Sequence, residues 1–206
     1  MLKNKFENLF QNESLNDAAI DKIASSLKTL DLLKKVIANL LLISRIENNQ
    51  YQANETIDCF QTIEDLALDL EDRMEAKSLR FSNELKQHFY FKGNATLMHI
   101  LLYNLIVNAI KYTQENGIIT VSDEHTQHQY KLTITDTGVG MDVEQLEKIF
   151  KRFTRISEDK DGHGLGLAIV ESIAHFHQIV IEVTSIPMVG STFALTFPKQ
   201  EKPIKS

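Results

Sequence analysis

Two asparagines, Asn104 and Asn108, stand with Lys111 in and just after an otherwise apolar run from Met98 to Ile110. Spaced by four and three, they share one side of a helix, opposite a core stripe of Met98, Leu102, Leu105 and Ala109. Asparagine is a poor helix-interior residue, and in a buried helix it costs stability unless its amide finds a partner. An amide oxygen is a hard ligand suited to Mg2+, and a lysine suits a phosphate, so the trio reads as a metal-phosphate site. Core asparagines satisfied by backbone are the plain alternative. Asp136-Thr-Gly138-Val-Gly140 follows a strand-like segment. A carboxylate at a strand end can accept from an exocyclic amine such as that of adenine, and glycines let backbone approach a ligand, though a simple turn is spelled the same way. Gly162-His-Gly164-Leu165-Gly166 runs straight into Leu-Ala-Ile-Val. Glycines at a helix start present free N–H groups at the positive dipole end, which makes a phosphate cradle or a hinge. This run is neither a Walker loop, which needs Gly-Lys-Ser/Thr, nor a Rossmann loop, which needs glycine where Leu167 stands. Gly190-Ser-Thr192-Phe, ahead of an alternating strand, is the fourth feature.

These groups need a scaffold, and the pattern supplies one. Residues 2–11 carry one short apolar stripe, and Ser14-Leu-Asn-Asp17 has capping-box spacing ahead of a long helix striped by Ile23, Leu27, Leu30, Leu33, Ile37 and Leu40. That stripe is too wide for a helix lying alone and calls for other helices or another chain. A linker is expected at about 48–54. Beyond it the spacing predicts an edge strand at 56–60, a helix at 61–77, strands at 79–85 and 88–91, and a strong helix at 94–113. Strands at 118–123 and 130–135 follow, with Tyr130, Leu132 and Ile134 on one face, then a helix at 165–177 and strands at 179–185 and 191–197. Mixed helices and strands predict an α+β fold, a two-layer α/β sandwich with one sheet covered by helices on one face.

In this order and spacing the four features resemble the N, G1, G2 and G3 boxes of the ATP-binding domain of bacterial sensor histidine kinases, within the gyrase, Hsp90, histidine kinase and MutL superfamily. Ile149-Phe-Lys-Arg152-Phe153 resembles the F box, and the stretch ending at Glu47 is similar to the second helix of that family's dimerisation domain. The resemblance covers about residues 55–198 and implies a Bergerat-type fold with a mixed sheet, preceded by part of a dimerisation hairpin in residues 1–50 and followed by a loose tail at 199–206. It implies Mg2+ and ATP as ligands, with Asn108 on the metal and Asn104 and Lys111 in support. Asp136 would hold the adenine amine, with Thr192 helping through water, while Tyr112, Gly138, Gly140, Arg152, Gly162, Gly164, Leu165 and Gly166 surround the nucleotide. Phe150 and Phe153 would anchor a lid at 154–161, and Arg155 is a further candidate phosphate contact. The superfamily's ATP-hydrolysing clamps and serine kinases carry a glutamate one turn before the metal-binding asparagine. Asn104 stands there, which favours a phosphotransferase over a hydrolase.

Composition sets the remaining bounds. Of 206 residues 43% are hydrophobic and 24% charged, so a core can form and a disordered chain is excluded. A lone Cys59 makes neither a disulfide nor a cysteine zinc cluster. The net charge of −6 with scattered basic residues argues against nucleic acid or an anionic membrane surface as a partner. No apolar run reaches the ~20 residues of a membrane span, and the reading is of a cytosolic polypeptide, the inner portion of a membrane-anchored sensor. None of the seven histidines is followed by an acid or precedes the second bundle helix, so the phosphoacceptor histidine is expected outside this chain. A homodimer through residues 15–47 and a response regulator are the partners the resemblance implies. A non-catalytic nucleotide-dependent module is the alternative.

Overall fold

The structure is a computed structural model that describes residues 17–126, 129–154 and 163–198. The chain divides into two compact units, Met1–Leu42 and Ile43–Ser206. The stripe expected at residues 2–11 and the Ser14 cap lie outside the described residues. In the first unit runs most of helix α1, Asp17–Glu47, whose Leu30, Leu33, Ile37 and Leu41 are exposed as the wide stripe anticipates. Its last turn belongs to the second unit, where Ile43 and Ile46 are buried.

The second unit continues with strand β1, Glu55–Asp58, and helix α2, Cys59–Asp69, which the Asp58 carboxylate caps by accepting from the Phe60 and Gln61 amides. A short α3, Glu71–Glu75, follows a break at Leu70, so the single helix expected at 61–77 is two. Strands β2, Arg80–Glu84, and β3, Tyr90–Gly93, lead into α4, Ala95–Tyr112. The Asn94 side chain caps α4 by accepting from the Leu97 amide at 3.0 Å. Next come β4, Ile118–His125, β5, Tyr130–Asp136, and a one-turn α5, Val143–Leu146, closed by a capping box from Asp142 to Gln145. The last elements are α6, Gly166–Phe176, β6, Val180–Ile186, and β7, Gly190–Thr196.

Five strands form one mixed sheet in the order β2-β4-β5-β7-β6, with only β2 and β4 parallel. β1 and β3 pair apart from it as a second, two-stranded sheet, which the expectation of a single sheet did not include. Along β5 the burial alternates, so Tyr130, Leu132, Ile134 and Asp136 face inward and Lys131, Thr133 and Thr135 face outward. Helices α4 and α6 pack on each other over the inner face. α4 alone buries Leu97, Met98, Leu101, Leu102, Leu105, Ile106, Ala109 and Ile110, and each larger one contributes about 1.5–3 kcal/mol to the fold. This is the α+β two-layer arrangement expected from the pattern. Among the described residues no helix is long and apolar enough to cross a membrane.

Candidate functional site

The C-terminal half of α4 and the end of β5 meet at a cleft lined by Asn108, Tyr112, Asp136, Gly140, Leu167 and Ser191 among others. On the helix side the two asparagines differ in what they touch. Asn104 donates its amide to the Ile100 carbonyl at 2.7 Å, and its Oδ1 lies against Gly166, where a Cβ would come within 2.9 Å. Asn104 and Gly166 thus set how closely α4 and α6 approach, and Asn104 is not on the cleft wall. Asn108, one turn on, lines the cleft and makes no side-chain hydrogen bond to the described residues. Lys111 holds its ammonium 4.9 Å above the Tyr112 ring, beside the cleft.

Opposite stands Asp136, the last residue of β5, with 6% of its surface exposed. Burial pushes its carboxyl above the ordinary range, against the amides of Gly138 and Ser191, which favour the charged form. Gly138 donates at 2.8 Å. Gly140 has φ +65, and a Cβ there would meet the Ile186 carbonyl at 2.0 Å, so this turn needs glycine for contacts within the protein itself.

β7 supplies a different residue from the one expected. Asp136 pairs with Ser191, and Thr135 pairs with Thr192. Because side chains alternate, Ser191 shares the face of Asp136, whereas Thr192 lies on the other face with its hydroxyl 3.1 Å from that of Thr135. Ser185 Oγ donates to the Gly190 carbonyl at 2.9 Å and accepts from the Met141 amide at 2.8 Å. Its only proton is thereby used, so Ser191 Oγ, 3.0 Å away, donates to it and turns its own lone pairs elsewhere. The inward set Phe193 and Leu195 was the available signal, since their parity places Ser191 inward too.

The third wall is the start of α6. Leu165, at the N-cap position, is buried and has no hydrogen-bonding side-chain atom, so it leaves the first-turn amides to other partners. Gly164 has φ +66 and accepts from the Phe153 amide at 2.8 Å. Gly162, Arg155 and residues 156–161 of the expected lid lie outside the described residues. Arg152 is not on the cleft wall: its guanidinium forms an ion pair with Glu47. Phe153 is largely exposed. The structure therefore brings Asn108, Tyr112, Asp136 and Gly140 together, and adds Ser191 and Leu167.

Residues 93–201 match the family described as histidine kinase-, DNA gyrase B-, and HSP90-like ATPase. The heme sensor protein HssS of Staphylococcus aureus is 32% identical over 167 residues, which is 81% of this chain and 36% of that protein. The chain thus spans about a third of the length of the curated relative it matches. Among solved structures, the Acinetobacter baumannii histidine kinase AdeS superposes with a TM-score of 0.73 at 24% identity, over 97% of this chain and 94% of that one. The catalytic domain of histidine kinase ThkA gives a TM-score of 0.62 at 26% identity, over 70% of this chain and 98% of that one.

Proposed function

Since this chain belongs to the histidine kinase-, DNA gyrase B-, and HSP90-like ATPase family, we propose that it is the ATP-binding catalytic part of a sensor histidine kinase. It binds Mg-ATP in the cleft between Asn108 and Asp136 and passes the γ-phosphoryl group to a histidine outside this chain. One observation carries this reading: an amide without a side-chain hydrogen bond among the described residues and a buried carboxylate face the same cleft from different elements. Asp136 accepts the exocyclic amine of adenine, and Ser191 offers lone pairs through water beside it. The amides at the start of α6 face the phosphates, where the helix dipole favours negative charge.

A single amide oxygen at Asn108 fits Mg2+, which takes one or two protein ligands, phosphate oxygens and waters. When bound, the ion neutralises phosphate charge. Lys111 supports the phosphates from the same helix. Transfer is favoured over hydrolysis because Asn104 offers no carboxylate, and its amide is already engaged with Ile100. The exposed stripe of Leu30, Leu33, Ile37 and Leu41 on α1 supports dimerisation through residues 15–47. In the whole protein, a response regulator then takes the phosphoryl group from the histidine, on the cytosolic side of a membrane-anchored sensor.

Calorimetric titration with Mg-ATP tests the first half: binding is expected for the wild type and not for Asn108→Asp or Asp136→Asn. Radiolabelled ATP with a separately supplied acceptor bundle from the parent protein tests the second. Label on that bundle supports the kinase; none at saturating nucleotide removes phosphotransfer from the proposal and leaves a nucleotide-dependent module.

A further inference from the structure

A helix leaves its last four carbonyls without intrahelical partners, and α4 ends where the cleft begins. Each of its four has an identifiable donor. Ala109 accepts from the Thr113 amide at 2.9 Å and from the Thr113 hydroxyl at 2.6 Å. Tyr112 accepts from the Val139 amide at 3.2 Å, which ties the helix end to the turn after Asp136. Ile110 and Lys111 both accept from one group, the ammonium of Lys77, at 2.8 and 3.1 Å. The same ammonium reaches the Thr113 carbonyl at 2.8 Å, so its three protons meet three carbonyls. Thr113 is extended, with φ −70 and ψ 139, so no left-handed cap shares this task. A cation at a helix C-terminus also opposes the negative end of the dipole.

Lys77 sits in the turn between α3 and β2, more than thirty residues away in sequence. That turn is itself fixed, since the Lys77 carbonyl accepts from the Asn116 amide at 3.1 Å. We propose that Lys77 is a positioning residue for the nucleotide site: its ammonium locks the last turn of α4, and thereby holds Asn108 and Tyr112 in register with the Asp136–Gly140 turn. This inference rests on the reading of the cleft as an Mg-ATP site. Lys77 is not among the residues lining the cleft, and its ammonium acts on main-chain carbonyls.

The test compares Lys77→Met, which keeps the length and loses every donor, with Lys77→Arg, each checked for folding by circular dichroism. For Lys77→Met, Mg-ATP affinity is expected to fall by about tenfold. Hydrogen exchange at the Val139 amide is expected to quicken while the amides of the β5–β7 ladder keep their protection. Lys77→Arg, whose planar fork reaches fewer of the three carbonyls, should fall between Met and wild type. Wild-type affinity and Val139 exchange in Lys77→Met would overturn the proposal, and so would equal loss of protection at Val139 and the ladder, the mark of general destabilisation. If Lys77→Met does not fold, wild-type affinity and Val139 exchange in Lys77→Arg overturn it. A wild type that does not bind Mg-ATP sinks the nucleotide reading instead, while Val139 exchange still decides the clamp.

Discussion

Two carboxylates are buried on the inner face of the same sheet, one near each end of β5, and they live differently. Asp136 ends β5 among glycines, with backbone amides on its oxygens and a cleft beside it. Asp123, on β4, faces inward near Tyr130, the first residue of β5. It accepts from the Lys86 amide at 3.1 Å, while its other oxygen and the Tyr130 hydroxyl are buried without a well-formed hydrogen bond. Over them lie aromatics: Phe89 stacks on Tyr130 at 3.6 Å between centroids, and Phe197 meets both. Burial, then neighbouring Cys59 and Asp123, push the Tyr130 phenol far up, so it stays neutral. A buried acid is therefore not by itself a site. At the glycine end a cleft and backbone donors border the carboxylate, and at the aromatic end stacked rings pack beside it.

Removing one charge at each end should separate binding from stability. Asp136→Asn is expected to lower Mg-ATP affinity by more than about a hundredfold, since under the proposed function the carboxylate accepts from a ligand amine and the variant presents a donor to it. Asp123→Asn is expected to leave affinity unchanged. Titration calorimetry on both checks this, and an equal loss in the two variants would erase the distinction. The second largest effect is expected at Gly140→Ala. A Cβ at φ +65 and against the Ile186 carbonyl should cost about 2–3 kcal/mol in urea unfolding. Nucleotide binding should weaken with it, since the same turn carries Asp136. Third, Asp123→Asn should cost about 1–2 kcal/mol, because it disturbs a buried polar group that accepts from the Lys86 amide. Full stability in that variant would mean that the Lys86 amide and Tyr130 hydroxyl hold the aromatic end without the charge.

The two ends were unequally legible in the sequence. The cleft end was read from local chemistry: asparagines one helical turn apart, an acid closing a strand, glycines before a helix. Each signature sits within a few residues and needs no tertiary information, so Asn108, Asp136 and Gly140 could be picked out before the fold was known, whereas Tyr112 came only with the family resemblance. Ser191 was passed over for Thr192 because a hydroxyl is present at both, and only strand parity tells them apart. Lys77 carries no local mark, since its three carbonyls lie over thirty residues away. Arg152 has the right charge for a phosphate, yet Glu47 holds it. The strands near 56–60 and 88–91 were anticipated but not their separate pairing, since a residue pattern does not say which strands pair, and the break at Leu70 was missed because a helix interrupted without proline or glycine leaves no signal to read.

The smallest expected effect is also the one that distinguishes the ends by sign. His177, buried at the aromatic end, accepts from the Asn94 amide at Nε2 at 2.9 Å. Its proton therefore sits on Nδ1, 3.0 Å from the Ile173 carbonyl to which it donates. The Phe91 and Phe176 rings and Gly93 crowd around it, so burial holds its pKa below the ordinary imidazole value. In the unfolded chain it takes up a proton first. Its contribution to stability is thus complete above about pH 6.5 and drains away as the pH falls below that value. Asp136 runs the other way: its carboxyl is held high by burial, so its cost appears as the pH rises through the carboxylate range. Urea unfolding of wild type and His177→Gln between pH 8 and pH 5 reads the first effect, with the other histidines cancelling in the difference. The wild type should lose stability more steeply than the variant below pH 6.5. Parallel curves would mean that folding does not shift the titration at position 177, and that the N-terminus of α4 does not depend on a neutral imidazole there.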